Sequence, residues 1–260
     1  MSLVATRAIV LHGFPYLESS RVLRLLTREA GVQSVIAKGA RRTRARVGSG
    51  VDLFAEGDAQ IYIKPSRELH TLGGFDVTSA RAGLALDVGR FTAASALAEL
   101  ALRLVGADPH PETFDSIAET LDRLASARPA AVGAIAMAGV WRLVATVGFL
   151  PAIDQCASCH ADIEPDADVA FSHPTGGALC TRCARFAGSA RRLPRDARAT
   201  LRQWLDQGIA LDVVDPVEPL ALRAHQRLLR EFVREHLADD RPLRAFAAWE
   251  TGFGAPEPTP

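Results

Sequence analysis

Hydrophobic and polar positions recur with two different periods along the chain. Over the first eighty residues the period is two, which predicts strands. Ala5–Leu11 and Arg21–Thr27 are short β-rich runs, with Gly13, Pro15 and Tyr16 expected in the turn between them. Gly31–Lys38 alternates Val32, Ser34 and Ile36 against Gln33, Val35 and Ala37. Ala59–Lys64 and Leu69–Phe75 follow, separated by Pro65 and Ser66, the punctuation of a hairpin. Five short strands in so few residues predict a small closed barrel or a sandwich. The polar stretch Gly39–Gly50 between the third and fourth strands is too basic for a core.

From about Ser79 the period becomes 3.6. Asp87–Gly106 is a long Ala/Leu segment, and Pro109 and Pro111 mark its end. Glu112–Ala125 puts Phe114, Ile117, Ala118, Leu121 and Leu124 on one helical face. Ala130–Phe149 is apolar nearly all round, which marks the central helix of a bundle. Pro129–Ile153 has the length of a membrane span. Its Ala/Gly content and Arg142 near the middle favour a buried core helix, since an Arg there costs roughly 2.5–3.5 kcal/mol on insertion. Helical patterning resumes over Asp196–Gly208 and Pro219–Ala238. The expected architecture is α+β and multidomain: a β-barrel domain at 1–79, an α-helical domain at 80–150 and 192–254, a cysteine-bearing insertion at 151–191 and a disordered tail at 255–260.

Composition adds little until it is localised. The 260 residues are 48% hydrophobic and 23% charged, enough to bury cores and too apolar for a disordered chain. Thirty basic and thirty acidic residues cancel, which excludes a histone-like polycation. Only Lys38 and Lys64 are lysines, so the other twenty-eight basic residues are arginines. With so many alanines this is consistent with coding bias, and arginine alone is weak testimony for phosphate recognition. Residues 1–80 nevertheless hold eleven basic and seven acidic side chains, five of the basic ones on one loop. Met1–Leu11 lacks the charged start, long apolar run and cleavage site of a secretory signal, so a cytoplasmic protein is expected, with no membrane partner.

The four cysteines fall in two C-x-x-C pairs, Cys156/Cys159 and Cys180/Cys183, with twenty residues between them. Each pair can offer two thiolates to one ion, and two pairs complete a tetrahedron. The pattern predicts one structural Zn²⁺ per chain, with no open position for Lewis-acid chemistry. A disulfide framework would need an oxidising compartment, a thioredoxin-like site uses one pair, and a zinc deaminase needs an H-x-E partner that His160-Ala161-Asp162 is not. His160 and His173 lie close enough in sequence to replace a cysteine ligand, but with four thiols available they are expected as exposed loop residues. Gly176 and Gly177 supply a tight turn before the second pair, and Arg182, Arg185, Arg191 and Arg192 are candidates to neutralise the −2 charge of a Zn(Cys)₄ centre. Zinc would contribute on the order of 10 kcal/mol to so small a segment.

Lys38, Arg41, Arg42, Arg44 and Arg46 place five positive charges in nine residues without an acid. Beside a β-barrel this is a candidate nucleic-acid surface, because guanidinium forks match phosphate oxygens. A solvated charge run is the plainer alternative. Of the rings nearby, Tyr16, Phe54, Tyr62 and Phe75, most are expected in the core, so binding would be governed by phosphates and insensitive to base sequence. Arg223, Arg227, Arg230 and Arg234 share one sector of a helical wheel, opposite Leu222, Leu229, Phe232 and Val233. Glu231 can pair with Arg227 one turn away, and His225 and His236 fall towards the apolar side. No nucleophile elbow, phosphate loop or H-E-x-x-H helix is present, so catalysis is not expected.

The run Ala8-Ile9-Val10-Leu11, then Tyr16-Leu17-Glu18-Ser19-Ser20, Leu25-Leu26-Thr27, Gly31 and Ala37-Lys38-Gly39-Ala40-Arg41-Arg42 resembles the start of the bacterial recombination mediator family RecO. The resemblance implies an OB-fold followed by an α-helical domain with an inserted zinc-binding segment. It implies a non-catalytic DNA-repair protein that binds single- and double-stranded DNA and anneals complementary strands. RecR is the implied partner, with RecF and single-strand-binding protein also implicated in loading RecA, at the nucleoid. Lys38, Arg41, Arg42, Arg44 and Arg46 become DNA contacts on that basis, while the arginines at 223–234 match no motif. The competing class is a zinc-ribbon interaction module of transcription or translation.

Overall fold

The computed structural model describes residues 2–38, 51–64, 66–206, 211, 215–236 and 241–252. Its contacts group into two compact units, Met1–Ala127 with Leu243–Gly252, and Arg128–Pro242. Arg41, Arg42, Arg44 and Arg46 and the tail at 255–260 lie outside the described residues.

The first unit is built on five strands: β1 (Ser2–Tyr16), β2 (Ser20–Thr27), β3 (Gly31–Ala37), β4 (Glu56–Ile63) and β5 (Leu69–Ser79). They close in the order β1-β2-β3-β5-β4, with β3 and β5 parallel and the other pairs antiparallel. This is the order of an OB-fold barrel. Alternation decides the inside: Ala8, Val10, Leu23, Leu25, Val35, Ala37, Ile61, Leu72 and Phe75 form its core. Gly31 turns β2 into β3 with φ +60°, and a Cβ there would run into the backbone carbonyls of Gly106 and Asp108.

The sequence expectation placed Gly13, Pro15 and Tyr16 in a turn, but β1 carries them as strand. The pairing of β1 with β4 stops at Ile9, so beyond that point β1 and β2 form a two-stranded ribbon. Such an edge tolerates Pro15, which has no N–H to donate.

A 3₁₀ turn (Ala82–Leu86), α1 (Val88–Leu104), α2 (Pro111–Ser126) and the distant α7 (Arg244–Gly252) belong to the same unit. The expectation had grouped these helices with the later ones. Two interactions explain their place. Arg81, its side chain only 1% exposed, reaches Glu56 at 2.5 Å, Asp122 on α2 at 2.6 Å and the Phe54 carbonyl at 3.0 Å. Glu56 also takes Arg7. The Glu99 carboxylate on α1 accepts from the Arg244 and Phe246 amides at 2.8 and 3.0 Å, capping α7 from outside, while Phe246 and Trp249 are fully buried.

The second unit is organised by α3 (Pro129–Thr146), of whose eighteen residues thirteen are buried. That helix is long and apolar enough to span a membrane, yet its apolar surface is spent on the unit's own core. Arg142, 4% exposed, donates to the Asp206 carbonyl at 3.0 Å. Trp141 packs on Phe232 of α6 (Pro219–His236), and Trp204 of α5 (Arg195–Leu205) meets His225 of α6 edge-on at 4.6 Å. The cysteine segment adds a small sheet, β7-β6-β8, from β6 (Val169–Ser172), β7 (Gly177–Leu179) and β8 (Arg191–Leu193), with a one-turn α4 (Thr181–Ala184).

Gly31→Ala should destabilise the first unit by at least about 1–2 kcal/mol, from the left-handed backbone alone. Thermal unfolding followed by circular dichroism measures it, and an unchanged midpoint would contradict the close approach. Burial pushes the His225 imidazole down to about 4, so the unfolded chain takes a proton there that the folded chain refuses. Its stabilisation is intact above the ordinary histidine value and is lost as pH falls from about 6.5 towards 4, about 3 kcal/mol in all. Denaturant unfolding of wild type and His225→Leu across that range should show wild type losing about 3 kcal/mol relative to the variant as the pH falls; a difference that does not change with pH would refute it.

Candidate metal centre and nucleic-acid surface

The two C-x-x-C pairs arrive at one point by local backbone bonding. His160, at φ +58°, donates its amide to the Cys156 carbonyl at 2.8 Å, and Cys156 donates to the Ala161 carbonyl at 2.8 Å. The second pair turns through α4, where the Ala184 amide reaches the Cys180 carbonyl at 2.9 Å. Ala157 donates to Ala178 on β7 at 2.8 Å, so the first knuckle is tied to the strand that leads into the second. Gly177 is indispensable here, because any Cβ would collide with the Ala152 backbone.

All four sulfurs lie within 4.8 Å of one another, and Cys159 Sγ is 3.8 Å from Cys180 Sγ. A disulfide needs about 2.05 Å, whereas four thiolates about 2.3 Å from one ion have tetrahedral edges of about 3.8 Å. The set can hold a metal ion. Its charge is already uneven. Burial pushes the Cys156 thiol up, but backbone amides of Cys180, Cys159 and Ser158 outweigh this and bring it to about 6. The Ala161 amide lowers Cys159, with help from Arg182. Cys183, facing Cys159 and Cys180, is raised to about 11. Arg182 is thus the expected arginine that does face the thiolates. Arg191 instead pairs with Glu231 at 3.0 Å, and Arg192 with Asp168.

His173 is not the exposed loop residue expected. It is 7% exposed, edge-on to Phe171, and burial lowers its pKa. His160 is exposed.

One residue at this site escaped the sequence reading. Arg198 on α5 is completely buried and donates to the carbonyls of Ile153 (2.8 Å), Glu164 (2.6 Å), Pro165 (3.2 Å), Ile163 (3.3 Å) and Ala167 (3.4 Å). These carbonyls flank the first cysteine pair on both sides. Arg202 adds an ion pair to Asp154 at 2.5 Å. The available signal was positional: Arg198 shares an i, i+3, i+6 stripe with buried Leu201 and Trp204.

The basic residues divide between the units. Lys38 is exposed immediately after β3. Ala37 pairs with Arg21 on β2, and Arg21 donates to the Val51 carbonyl at 3.1 Å. Both described ends of the arginine-bearing segment therefore stand beside the start of β2. In the second unit α6 presents Arg223, Arg227 and Arg234 at the surface and Arg230 half-buried, with Leu222, Leu229, Phe232 and Val233 inward as expected. Glu231 turns to Arg191 on β8 rather than to Arg227.

With this geometry in place, relatedness is decisive. Residues 1–81 match the family described as "Recombination protein O N terminal", and residues 85–245 match "Recombination protein O C terminal". The chain belongs to the RecO family. The "DNA repair protein RecO" of Anaeromyxobacter sp. (strain K) is 35% identical over 251 residues, covering 95% of this chain and 96% of that one. The RecO of Rubrobacter xylanophilus is 30% identical over 258 residues, 99% and 100% of the two chains, and that of Nocardioides sp. is 33% identical over 243, 92% and 96%. RecO membership assigns the chain to DNA repair and recombination.

Arg198→Ala should weaken metal binding about 10–100-fold, the usual effect of removing a group that orients a ligand loop. Competition with a chromophoric chelator, and the thiolate-to-cobalt absorption of the Co²⁺ form, would report it. Arg198→Lys should not rescue, since one ammonium cannot reach five carbonyls; wild-type affinity in either variant would refute the clamp.

Proposed function

We propose that this RecO chain is a non-catalytic recombination mediator. It binds single- and double-stranded DNA, anneals complementary strands and, with RecR and RecF, promotes RecA loading onto DNA covered by single-strand-binding protein. One observation carries the DNA-binding part: the described residues on either side of the stretch that contains Arg41, Arg42, Arg44 and Arg46, exposed Lys38 and Val51, both stand beside the start of β2 on the OB barrel. Five cations without an acid hold backbones of any sequence, and bringing two strands to one basic surface lowers their mutual repulsion. The arginines of α6, Arg223, Arg227, Arg230 and Arg234, are proposed as a further phosphate surface. The protein acts in the cytoplasm at the nucleoid.

The metal is proposed to be one structural Zn²⁺ on Cys156, Cys159, Cys180 and Cys183, and the 3.8 Å sulfur spacing supports it. Four thiolates fill the coordination sphere and leave no site for a reacting water. RecO membership speaks against the zinc-ribbon module of transcription or translation.

A mobility shift on single-stranded DNA across a salt series tests the reading. Replacing Arg41, Arg42, Arg44 and Arg46 by Ala should weaken binding to any sequence and flatten the log–log salt slope by about 2–3, at about 0.7 per phosphate contact on single strands. Unchanged affinity and slope would show that the segment is only a solvated charge run.

A further inference from the structure

Position 11 of the chain changes the parity of β1. Val10 pairs with Leu25 and His12 with Arg24, so Leu11 is an extra residue in the ladder. Before this bulge the even positions Ala8 and Val10 point into the barrel core. After it Gly13 sits opposite the core residue Leu23, and the even positions His12, Phe14 and Tyr16 turn outward. All three are exposed, Phe14 by 44% and Tyr16 by 41%. The His12 and Phe14 rings are 6.1 Å apart. Most Phe, Tyr and Trp rings in this unit are buried, among them Phe54, Phe75, Phe114, Phe246 and Trp249; Phe91 on α1 is the other strongly exposed one among the described residues.

The surroundings are cationic. Arg24 stands directly opposite His12 and so shares the face of the rings, while exposed Lys38 follows Ala37, whose partner Arg21 is the neighbour of Ser20, the residue opposite Tyr16. Over residues 12–24 and 34–38 the sequence has one acid, Glu18. Rings flanked by phosphate-binding cations are what sequence-tolerant single-strand binders use, because every base has a π-face.

We propose that His12, Phe14 and Tyr16 form a ladder on which unpaired bases stack, while the phosphates of the same strand run to Arg24 and Lys38. The inference rests on the DNA-binding reading above and deepens it. The basic segment holds any backbone, and the ladder distinguishes single strands, since a duplex keeps its base faces covered. Binding by this surface is therefore not governed by phosphates alone, as the sequence had led one to expect.

The test uses the full zinc-loaded chain, an oligo(dT) and a duplex of equal length, and an oligonucleotide carrying 2-aminopurine. Phe14→Ala with Tyr16→Ala should raise the single-strand Kd about tenfold or more. Duplex affinity and the salt slope should stay as in wild type, which also reports that the barrel is folded. The 2-aminopurine change seen with wild type should vanish in the double variant and persist in Phe14→Tyr with Tyr16→Phe. Equal single-strand affinity in wild type and the double variant would overturn the ladder, as would equal losses on single strand and duplex. A wild type that binds neither DNA would remove the DNA-binding reading itself, and the ladder with it.

Discussion

Buried carbonyl oxygens outside a helix or sheet ladder need donors, and in both units an arginine supplies them. Arg198 meets five such carbonyls around the first cysteine pair. Arg81 serves the Phe54 carbonyl while balancing Glu56 and Asp122. Arg90 closes the end of α2 through the Ala125 and Ala127 carbonyls, at 3.1 and 2.6 Å. A guanidinium offers five donors in one rigid plane, which a lysine cannot imitate. Leaving such acceptors unmet would cost about 1–3 kcal/mol each. The irregular segments that carry chemistry can be buried and ordered only because these residues are there.

That constraint links fold to function. The cysteine segment has only a three-stranded sheet and one turn of helix, and Arg198 ties its first knuckle to α5 so that four sulfurs meet without help from a large core. In the barrel the comparable device is a single extra residue, Leu11, which turns three aromatic positions from the interior to the surface. Both devices spend local irregularity on aiming side chains, and both depend on neighbours that absorb it: β7 and α5 in one case, the Gly13–Leu23 approach in the other.

Much of this was legible in the sequence because it is local. Period-two runs gave five strands and period-3.6 runs gave the long helices to within a few residues, since each pattern reflects one buried face. The cysteine spacing foretold the cluster, because a C-x-x-C turn fixes two sulfurs before any tertiary contact forms. What was misplaced depended on distant partners. Pro15 and Tyr16 looked like a turn because nothing local announces a bulge. His173 looked exposed until Phe171 and Glu231 closed over it. Glu231 had Arg227 one turn away and chose Arg191 from β8.

The sequence by itself determined the RecO likeness, the strands of the barrel and the long helices, the cysteine cluster and the position of the basic block. Those rest on spacing, periodicity and charge, which survive without coordinates. Only the tertiary structure decided what individual arginines do. Twenty-eight of them read alike in one dimension, as coding bias or phosphate ligands. Folding separated Arg81 and Arg198, desolvated and committed to carbonyls and carboxylates, from Arg223, Arg227 and Arg234 at the surface of α6. The reason is that a guanidinium's role follows from which acceptors the fold brings within hydrogen-bond reach, and chain neighbours do not supply those acceptors.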